Sequence, residues 1–348
     1  MKAAVIYGAK DVRIENIQEP AVTAGNVKVK VEWAGICGSD LHAYHHGMGV
    51  STTPHPVSGR SLPLTLGHEF AGVVTEVGAD VQDVEVGDRV AIEPLIYSED
   101  DYFVKLGKYN LSNTFGFLGL NADGGFAEYA IVSGQKVHKL PDSISLEEGA
   151  LVEPTAVAFQ AVKSSDLKMG QSVIVFGAGP IGLLTIISAK AAGAAEIIAV
   201  DISKERLDKA LEVGATHVIN SMEEDVTKKV LSMFDKGIDI AYEAAGVEAT
   251  FTSALNVLKK GGQLMVIAAF AKPVSLNVSQ LLIGELKVTA SLAYRHIFPE
   301  VISMIATGRL DVKPVITKKI SLDHLVEDGL ELLIKDKSQS KILVEIQN

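Results

Sequence analysis

Hydrophobic and polar positions follow a period of two in the first part of the chain. Residues 27–32 alternate between valine and a charged residue, which is typical of a strand with one buried face. Residues 70–77 and 88–92 are further predicted strands, and glycine turns follow or precede them. Residues 315–320 and 341–346, near the other end of the sequence, are predicted strands that we expect to complete the same domain. This pattern predicts a mainly antiparallel β domain.

From about residue 150 the pattern changes to short apolar strands separated by segments of helical period. The predicted strands cover residues 171–176, 196–200, 217–219, 238–243, 263–269 and 286–292. The predicted helices cover residues 181–192 and 204–213, and two more end near residues 234 and 260. Strand–helix alternation at this spacing predicts βαβ units and a parallel sheet. The fold class is therefore α/β.

Composition and charge exclude several classes of partner. The 348 residues carry a net charge of −11, so nucleic acid and anionic membranes are poor candidates as partners. A single cysteine cannot form an intramolecular disulfide. Apolar segments are interrupted well before about 18 residues, so no membrane span is predicted. These features favour a cytoplasmic protein that acts on a small molecule.

A glycine-rich loop joins the first strand of the parallel pattern to its helix. Gly177, Gly179 and Gly182 have the spacing of a dinucleotide-binding loop, in which they allow a tight turn, close approach of a pyrophosphate, and helix packing. Pro180 and Ile181 begin the helix, whose N-terminus offers free N–H groups to phosphate. The alternative is a glycine turn of a flavodoxin-like sheet that binds no nucleotide.

An acidic residue follows the loop at the end of the second strand. Asp201 lies nineteen residues after Gly182, where a carboxylate accepts bonds from the adenosine ribose and repels a 2′-phosphate. No arginine adjoins it, so NAD is predicted rather than NADP. Arg206, one helical turn further, is expected to cover the adenine.

Four residues with metal-binding chemistry lie in compact segments of the sequence. Cys37, His68, Glu69 and Glu153 offer the thiolate, imidazole and carboxylate ligands that Zn²⁺ favours. Catalytic zinc has three protein ligands and one open position, and Cys37 and His68 with either Glu69 or Glu153 satisfy that count. Glu153 follows an apolar segment at the junction of the two halves, where we expect it to face a cleft. Taken singly, a cysteine is more often a small buried hydrophobe and a histidine is more often an ordinary polar residue.

Taken together, these segments make the chain resemble the zinc-dependent medium-chain dehydrogenase/reductase family over nearly its whole length. The resemblance rests on residues 34–42, 54–56, 66–72, 116–120, 124–129, 151–154 and 177–182. It implies a GroES-like catalytic domain over residues 1–151, completed by 293–348, and a Rossmann-type dinucleotide-binding domain over 152–292. Within the family, residues 53–65 and 116–120 are similar to the butanediol-oxidising, acetoin-reducing group, with sorbitol and threonine dehydrogenases as relatives.

The resemblance implies roles for individual residues around the metal. Cys37 and His68 match the zinc ligands, Glu69 matches a glutamate that can join them, and Glu153 matches a carboxylate that polyol-oxidising members place at or near the metal. Asp40 matches a residue that orients the ligating histidine. Ser39 and His42 match the positions that relay the substrate proton. Ser39, His42, Glu69 and Glu153 are accordingly the predicted catalytic residues.

One lobe departs from the family pattern. Residues 93–120 keep the length of a lobe that often binds a structural zinc through four cysteines, but the aligned positions hold Ser98, Asp101, Val104 and Ser112. No thiolate is available there, so the predicted cofactors are NAD and one catalytic zinc. We expect the lobe to be held by the packing of four aromatic residues, Tyr97, Tyr102, Phe103 and Tyr109.

The predicted activity is hydride transfer between NAD and a vicinal diol or hydroxyketone, most specifically 2,3-butanediol and acetoin. The alternatives are a sorbitol or other polyol dehydrogenase, an L-threonine 3-dehydrogenase, and a catalytically silent NAD-binding protein. Residues 286–292 lie near the end of the parallel pattern, and an apolar sheet edge favours pairing with a second chain. We therefore expect a homodimer or homotetramer.

Overall fold

In the first 140 residues strands outnumber α-helices, which become frequent only after them. The computed structural model describes residues 1–347. Its strands are β1 (Lys2–Gly8), β2 (Asp11–Asn16), β3 (Asn26–Gly35), β4 (Leu64–Thr65), β5 (Glu69–Val77), β6 (Arg89–Ile92), β7 (Leu95–Ile96), β8 (Gly116–Phe117), β9 (Tyr129–Ser133), β10 (Val137–Lys139), β11 (Ser172–Phe176), β12 (Glu196–Asp201), β13 (His217–Asn220), β14 (Ile238–Glu243), β15 (Leu258–Val266), β16 (Lys287–Ala290), β17 (Ile316–Ser321) and β18 (Lys341–Glu345). Its α-helices are α1 (Gly38–His46), α2 (Tyr102–Lys105), α3 (Leu146–Ala150), α4 (Val152–Ser164), α5 (Pro180–Ala191), α6 (Lys204–Val213), α7 (Val226–Met233), α8 (Glu248–Val257), α9 (Val278–Gly284), α10 (Phe298–Ala306) and α11 (Leu332–Lys335).

The chain divides into two units. The first contains the residues up to Glu153, Arg295–Ala306, and the residues from Ile316 onward. The second contains Pro154–Tyr294 and Thr307–Val315. The assignment of catalysis to one domain and of dinucleotide binding to the other stays a prediction.

The first unit is built on a sheet with the strand order β10-β6-β5-β3-β18-β17, and β9 also pairs with β3. The strand β3 explains the alternating pattern of residues 27–32, because Val27, Val29 and Val31 are fully buried in the core of this unit. Lys28, between them, is buried as well, and its ammonium is paired with Glu19 at 2.8 Å. The predicted antiparallel character holds for most of this sheet, with one exception: β17 and β18 are parallel.

The second unit contains a parallel sheet with the order β13-β12-β11-β14-β15-β16. The sheet confirms the predicted α/β class. The central strand β11 has four consecutive buried residues, as expected of a strand covered on both faces. The chain order reverses between β11 and β14, and in such sheets ligands bind beyond the carboxyl ends of the strands at this point.

One predicted boundary in the second unit is wrong. The helix expected to end near residue 260 ends at Val257, and β15 begins at Leu258 rather than at residue 263. Leu258 is already extended and pairs with Ile238, and Lys259 forms an ion pair with Asp239. Strand pairing and this ion pair override the helical pattern of residues 258–260.

Over residues 1–347, no helix has both the length and the apolar character needed to cross a membrane.

Candidate metal centre and dinucleotide loop

Three of the predicted ligands come together in the first unit. One ligand atom each from Cys37, His68 and Glu69 lies within 4.8 Å of the others. Cys37 immediately precedes α1, His68 lies in the loop before β5, and Glu69 is the first residue of β5. His68 and Glu69 are buried, whereas Cys37 is partly exposed. The cluster therefore combines a thiol, an imidazole and a carboxylate that are 31 and 32 positions apart in sequence.

Gly67 allows the His68 loop to lie against the core. Its backbone has a φ of +93°, a conformation that residues with a side chain rarely adopt. A β-carbon at this position would also lie 2.8 Å from the ring of Phe126. The backbone thus requires glycine at position 67, immediately before His68.

Two residues of α1 hold the imidazole of His68. Ser39 Oγ lies 3.1 Å from His68 Nε2, and Asp40 Oδ1 lies 3.5 Å from Nδ1. The other oxygen of Asp40 accepts the backbone N–H of Cys37 at 2.9 Å, so one buried carboxylate connects two of the predicted ligands. Burial alone would lower the pKa of His68, but the charges of Asp40 and Cys37 raise the pKa well above its ordinary value.

Glu69 has a buried counter-ion that the sequence analysis did not identify. Lys341 Nζ, on β18, donates to both carboxylate oxygens of Glu69, at 2.6 and 2.9 Å, and to the carbonyl oxygen of Ile36 at 2.9 Å. Burial lowers the pKa of Lys341, and the charge of Glu69 more than offsets this, so the pKa is raised. The available signal was a lysine that starts an apolar strand, because a buried ammonium requires an acid.

Glu153 lies near this cluster but outside it. It is buried in the first turn of α4, and its negative charge contributes to the raised pKa of Lys341. It does not belong to the group whose ligand atoms lie within 4.8 Å of one another. The structure therefore brings a ligand atom of Glu69 within 4.8 Å of those of Cys37 and His68, while both oxygens of Glu69 accept hydrogen bonds from Lys341.

His42 lies one helical turn after Ser39 on α1, and its side chain is exposed. Over residues 1–347, no hydrogen bond joins it to Ser39. Along α1, Ser39 therefore lies beside the buried His68, and His42 lies one turn further at the solvent-exposed surface.

The chemistry of these donors fits zinc. Thiolate, imidazole and carboxylate are the three ligand types of zinc sites. Asp40 Oδ1, 3.5 Å from the ring, makes no hydrogen bond within residues 1–347. A carboxylate in that position fixes the ligating histidine so that the opposite ring nitrogen is free to bind metal. Nδ1 of His68 faces Asp40, and Nε2 faces Ser39.

The predicted dinucleotide loop lies between β11 and α5, as expected. Gly177 has a φ of +93°, and a β-carbon at Gly182 would lie 1.7 Å from the carbonyl oxygen of Gly177, so both positions require glycine. Gly179 caps α5 and Pro180 is the first helical residue, with Ile181 in the same turn. A β-carbon at Gly179 would meet only Arg206, 3.9 Å away, so the backbone here is open to a ligand.

Asp201 ends β12 beside this loop. One of its oxygens accepts the N–H of Ala178 at 2.7 Å, and the other accepts the N–H groups of Ile202 and Ser203. The carboxylate is thereby fixed at the carboxyl end of the sheet, and Oδ2, which accepts a single N–H, keeps acceptor capacity. This position fits the predicted contact with a ribose, and Arg206 lies on the first turn of α6 nearby.

Glu243 supports the same loop and was not predicted. It ends β14 fully buried, accepts the N–H groups of Ala245 and Gly246, and accepts the Thr250 hydroxyl at 2.7 Å. Burial raises its pKa. The segment that it holds packs on Gly177, whose β-carbon would lie 3.0 Å from Ala244.

The lobe of residues 93–120 is held by hydrogen bonds as well as by aromatic packing. Asp101 accepts the N–H of Phe103 at 2.7 Å, and the backbone and side-chain N–H groups of Asn113 at 2.9 and 3.0 Å. Tyr97 and Tyr109 stack with ring centroids 5.0 Å apart. The expectation for Tyr102 is wrong in part: it makes only an edge contact with Phe103, and it is 67% exposed. Asp101, at a position aligned with a cysteine of the family, therefore links two segments of the lobe through its carboxylate.

Family models and known proteins match both parts of the chain. Residues 180–307 match the zinc-binding dehydrogenase model, and residues 23–142 match the alcohol dehydrogenase GroES-like domain. The chain is 45% identical to an (R,R)-butanediol dehydrogenase of Bacillus subtilis, with 99% of each chain covered. It is 36% identical to a sorbitol dehydrogenase of Rattus norvegicus, with 95% of this chain and 94% of the relative covered.

A solved structure agrees with this placement. The crystal structure of a 2R,3R-butanediol dehydrogenase from Bacillus subtilis matches with a TM-score of 0.94 and 45% identity, and covers 99% of each chain. The predicted family resemblance is thus confirmed. This chain belongs to the zinc-binding dehydrogenases of the medium-chain dehydrogenase/reductase family.

Proposed function

We propose that this protein is a zinc-dependent dehydrogenase that transfers hydride between NAD and a vicinal diol or hydroxyketone, with 2,3-butanediol and acetoin as substrate and product. The observation that carries the proposal is the cluster of Cys37, His68 and Glu69 in a chain 45% identical to a relative named (R,R)-butanediol dehydrogenase. Residues 53–65 and 116–120 support the same substrate group.

The protein residues hold the reactants and move one proton. Cys37 and His68, with Glu69 or Glu153, would hold the zinc. Zinc, when bound, acts as a Lewis acid toward the substrate hydroxyl. Asp40 orients the His68 ring so that it stays in ligand geometry.

Proton and hydride leave the substrate in different directions. Ser39 lies 3.1 Å from His68, where it can accept the hydroxyl proton, and His42 then passes that proton to solvent. The hydride moves from the carbinol carbon to the nicotinamide of NAD, which the loop at Gly177 and the carboxylate of Asp201 would position.

The third zinc ligand is a choice between two carboxylates. Glu69 lies within the cluster but is bonded to Lys341, and Glu153 lies outside it. Zinc retention in Glu69→Gln, compared with Glu153→Gln, distinguishes them, because loss of a ligand weakens binding more than loss of a neighbouring acceptor. Elemental analysis after gel filtration in metal-free buffer is the measurement, and we expect about one tightly held zinc per unmodified chain.

The vicinal diol is favoured over a simple alcohol by the second carboxylate. A buried carboxylate near the metal can accept a bond from a second substrate hydroxyl, and a mono-alcohol would leave that acceptor without this bond. Sorbitol and other polyols also offer adjacent hydroxyls, and the relative at 36% identity is named a sorbitol dehydrogenase, so polyol oxidation is the second candidate. L-threonine is a third. A silent NAD-binding protein is disfavoured because such a protein has no need of this ligand cluster.

The test compares kcat/KM for butanediol stereoisomers, 2-butanol, sorbitol and L-threonine, with NAD and zinc present. We expect 2,3-butanediol to exceed 2-butanol by about 1 to 3 kcal/mol of transition-state stabilisation, or a few-fold to over a hundredfold. Equal values for diol and mono-alcohol would contradict the diol assignment. A higher value for sorbitol or threonine would assign the protein to that group instead.

We also propose that two or four copies of this chain assemble through the sheet edge of the second unit, in the cytoplasm. All four residues of the edge strand β16 are exposed, and Leu282 and Ile283 on α9 are exposed by 79% and 72%. An unpaired edge beside exposed apolar side chains favours pairing with an identical edge around a twofold axis. The proposed use of NAD suits the cytoplasm, and so does the single cysteine, which cannot form an intramolecular disulfide.

A further inference from the structure

Three histidines lie at positions 42, 45 and 46 on α1, outside the Cys37 cluster. Residues three and four apart on a helix are neighbours on its surface, so His45 and His46 both adjoin His42. All three side chains are exposed. We refer to them as the α1 histidine cluster.

The rings of this cluster are already close. Nδ1 of His45 lies 3.5 Å from Nδ1 of His46, and the rings of His42 and His46 stack with centroids 6.4 Å apart. A tetrahedral ion that binds imidazole nitrogens at 2.0–2.1 Å holds two such nitrogens about 3.4 Å apart. The His45–His46 pair therefore has the separation of two ligands, and His42 needs only a side-chain rotation, which its exposure permits.

Little in the surroundings competes with a cation. Over residues 1–347, these three side chains form no ion pair, and their one hydrogen-bond contact is between His45 and His46. The cluster occupies the C-terminal part of α1, which ends at His46 and is capped by Gly47 in the left-handed conformation. The carbonyl end of a helix carries partial negative charge and attracts cations.

We propose that the α1 histidine cluster is a second, surface metal site for a borderline divalent ion of the zinc, nickel or copper class. Imidazole is the ligand type that these ions share. The site differs from the Cys37 cluster in exposure and in ligands, so its ion would exchange with solvent more readily than an ion held by the buried His68.

Metal binding at this site inhibits the enzyme. This effect rests on the proposed function, in which His42 passes the substrate proton to solvent. A neutral imidazole has one free lone pair. When the metal takes the lone pair of His42, the ring can no longer accept a proton from Ser39. Excess zinc or nickel therefore slows turnover without displacing the catalytic ion.

The first experiment measures binding without activity. The untagged, zinc-loaded protein is applied to immobilised Ni²⁺, which cannot reach His68 because that side chain is 97% buried. We expect retention on the column and elution by imidazole, and Ni²⁺ titration of the soluble protein should give one added site.

In the double variant His45→Gln/His46→Gln, retention should be lost and the affinity for Ni²⁺ should fall by about tenfold or more. His324→Gln, on another exposed histidine, is the matched control. Retention of the double variant equal to that of the unmodified protein would overturn the site.

The second experiment measures NAD-dependent turnover while Ni²⁺ is added in excess and then removed with a weak chelator. Reversible inhibition in the unmodified protein and resistance in the double variant support the coupling to His42. Equal inhibition of both proteins would overturn it. If no diol is oxidised at all, the proposed function fails while the column result still decides the metal site.

Discussion

Ser39 is the residue whose contact most directly supports the proposed proton path. Ser39→Ala removes the hydroxyl 3.1 Å from His68 Nε2 but no metal ligand. We expect kcat to fall by roughly a hundredfold, because a positioned proton carrier contributes on that order, while zinc content is unchanged. Ser39→Thr keeps the hydroxyl and is the control. Unchanged turnover in Ser39→Ala would show that the proton leaves by another route.

Asp201 is the residue that we expect to select NAD. Asp201→Asn keeps an acceptor for the N–H of Ala178 but removes the charge that repels a 2′-phosphate. The unmodified protein should prefer NAD by about tenfold or more in kcat/KM, and the variant should lose most of that preference. Asp208→Asn, an exposed residue on α6, should leave it unchanged. A preference of the unmodified protein for NADP would contradict the assignment.

At the residue scale, the sequence predicts ligands better than it predicts what supports them. Cys37, His68 and Glu69 were identifiable because glycine-flanked ligand types are informative in short segments. Lys341 and Glu243 were not, since their importance depends on partners that only folding brings near. Lys341 is separated from Glu69 by 272 positions.

At the scale of elements, we expect one carboxylate, that of Asp101, to contribute to the order of the lobe that contains α2. Asp101→Ala removes the acceptor of three N–H groups, so we expect faster hydrogen exchange and proteolysis of residues 93–120. Asp100→Ala, whose side chain is 97% exposed, is the control. Equal protection in both variants would show that aromatic packing alone holds the lobe.

The same carboxylate gives the lobe a defined dependence on pH. The backbone N–H of Asn113 lowers the pKa of Asp101 below its ordinary value. Its stabilising contribution is therefore complete above about pH 4, near the pKa of an unfolded aspartate, and is lost as the pH falls through the lower folded pKa. The added exchange of Asp101→Ala should thus be fully visible at neutral pH.

Element types were predictable and some boundaries were not. The helix at Lys204–Val213 begins at a serine cap and ends before Gly214, so local signals define both ends. The start of β15 is set instead by pairing of Leu258 with Ile238, which local periodicity does not contain.

At the scale of the whole molecule, the exposed edge of the parallel sheet predicts an oligomer. Sedimentation at micromolar concentration should give a dimer or tetramer, and Val288→Glu in β16 should give lighter species, because a charge on the edge opposes pairing. Met169→Glu, at a residue 85% exposed elsewhere in the second unit, should not. A stable monomer of the unmodified chain would remove the proposal.

The pair between Lys341 and Glu69 also determines when the metal centre can form during synthesis. Glu69 leaves the ribosome before the ammonium that neutralises it, which follows 272 positions later. Until β18 emerges, the carboxylate lacks its lysine counter-ion, so burial of its strand in the core costs free energy. A nascent chain released before β18 would therefore carry the metal ligands without Lys341, and we expect zinc to be acquired most readily after β18 has been translated.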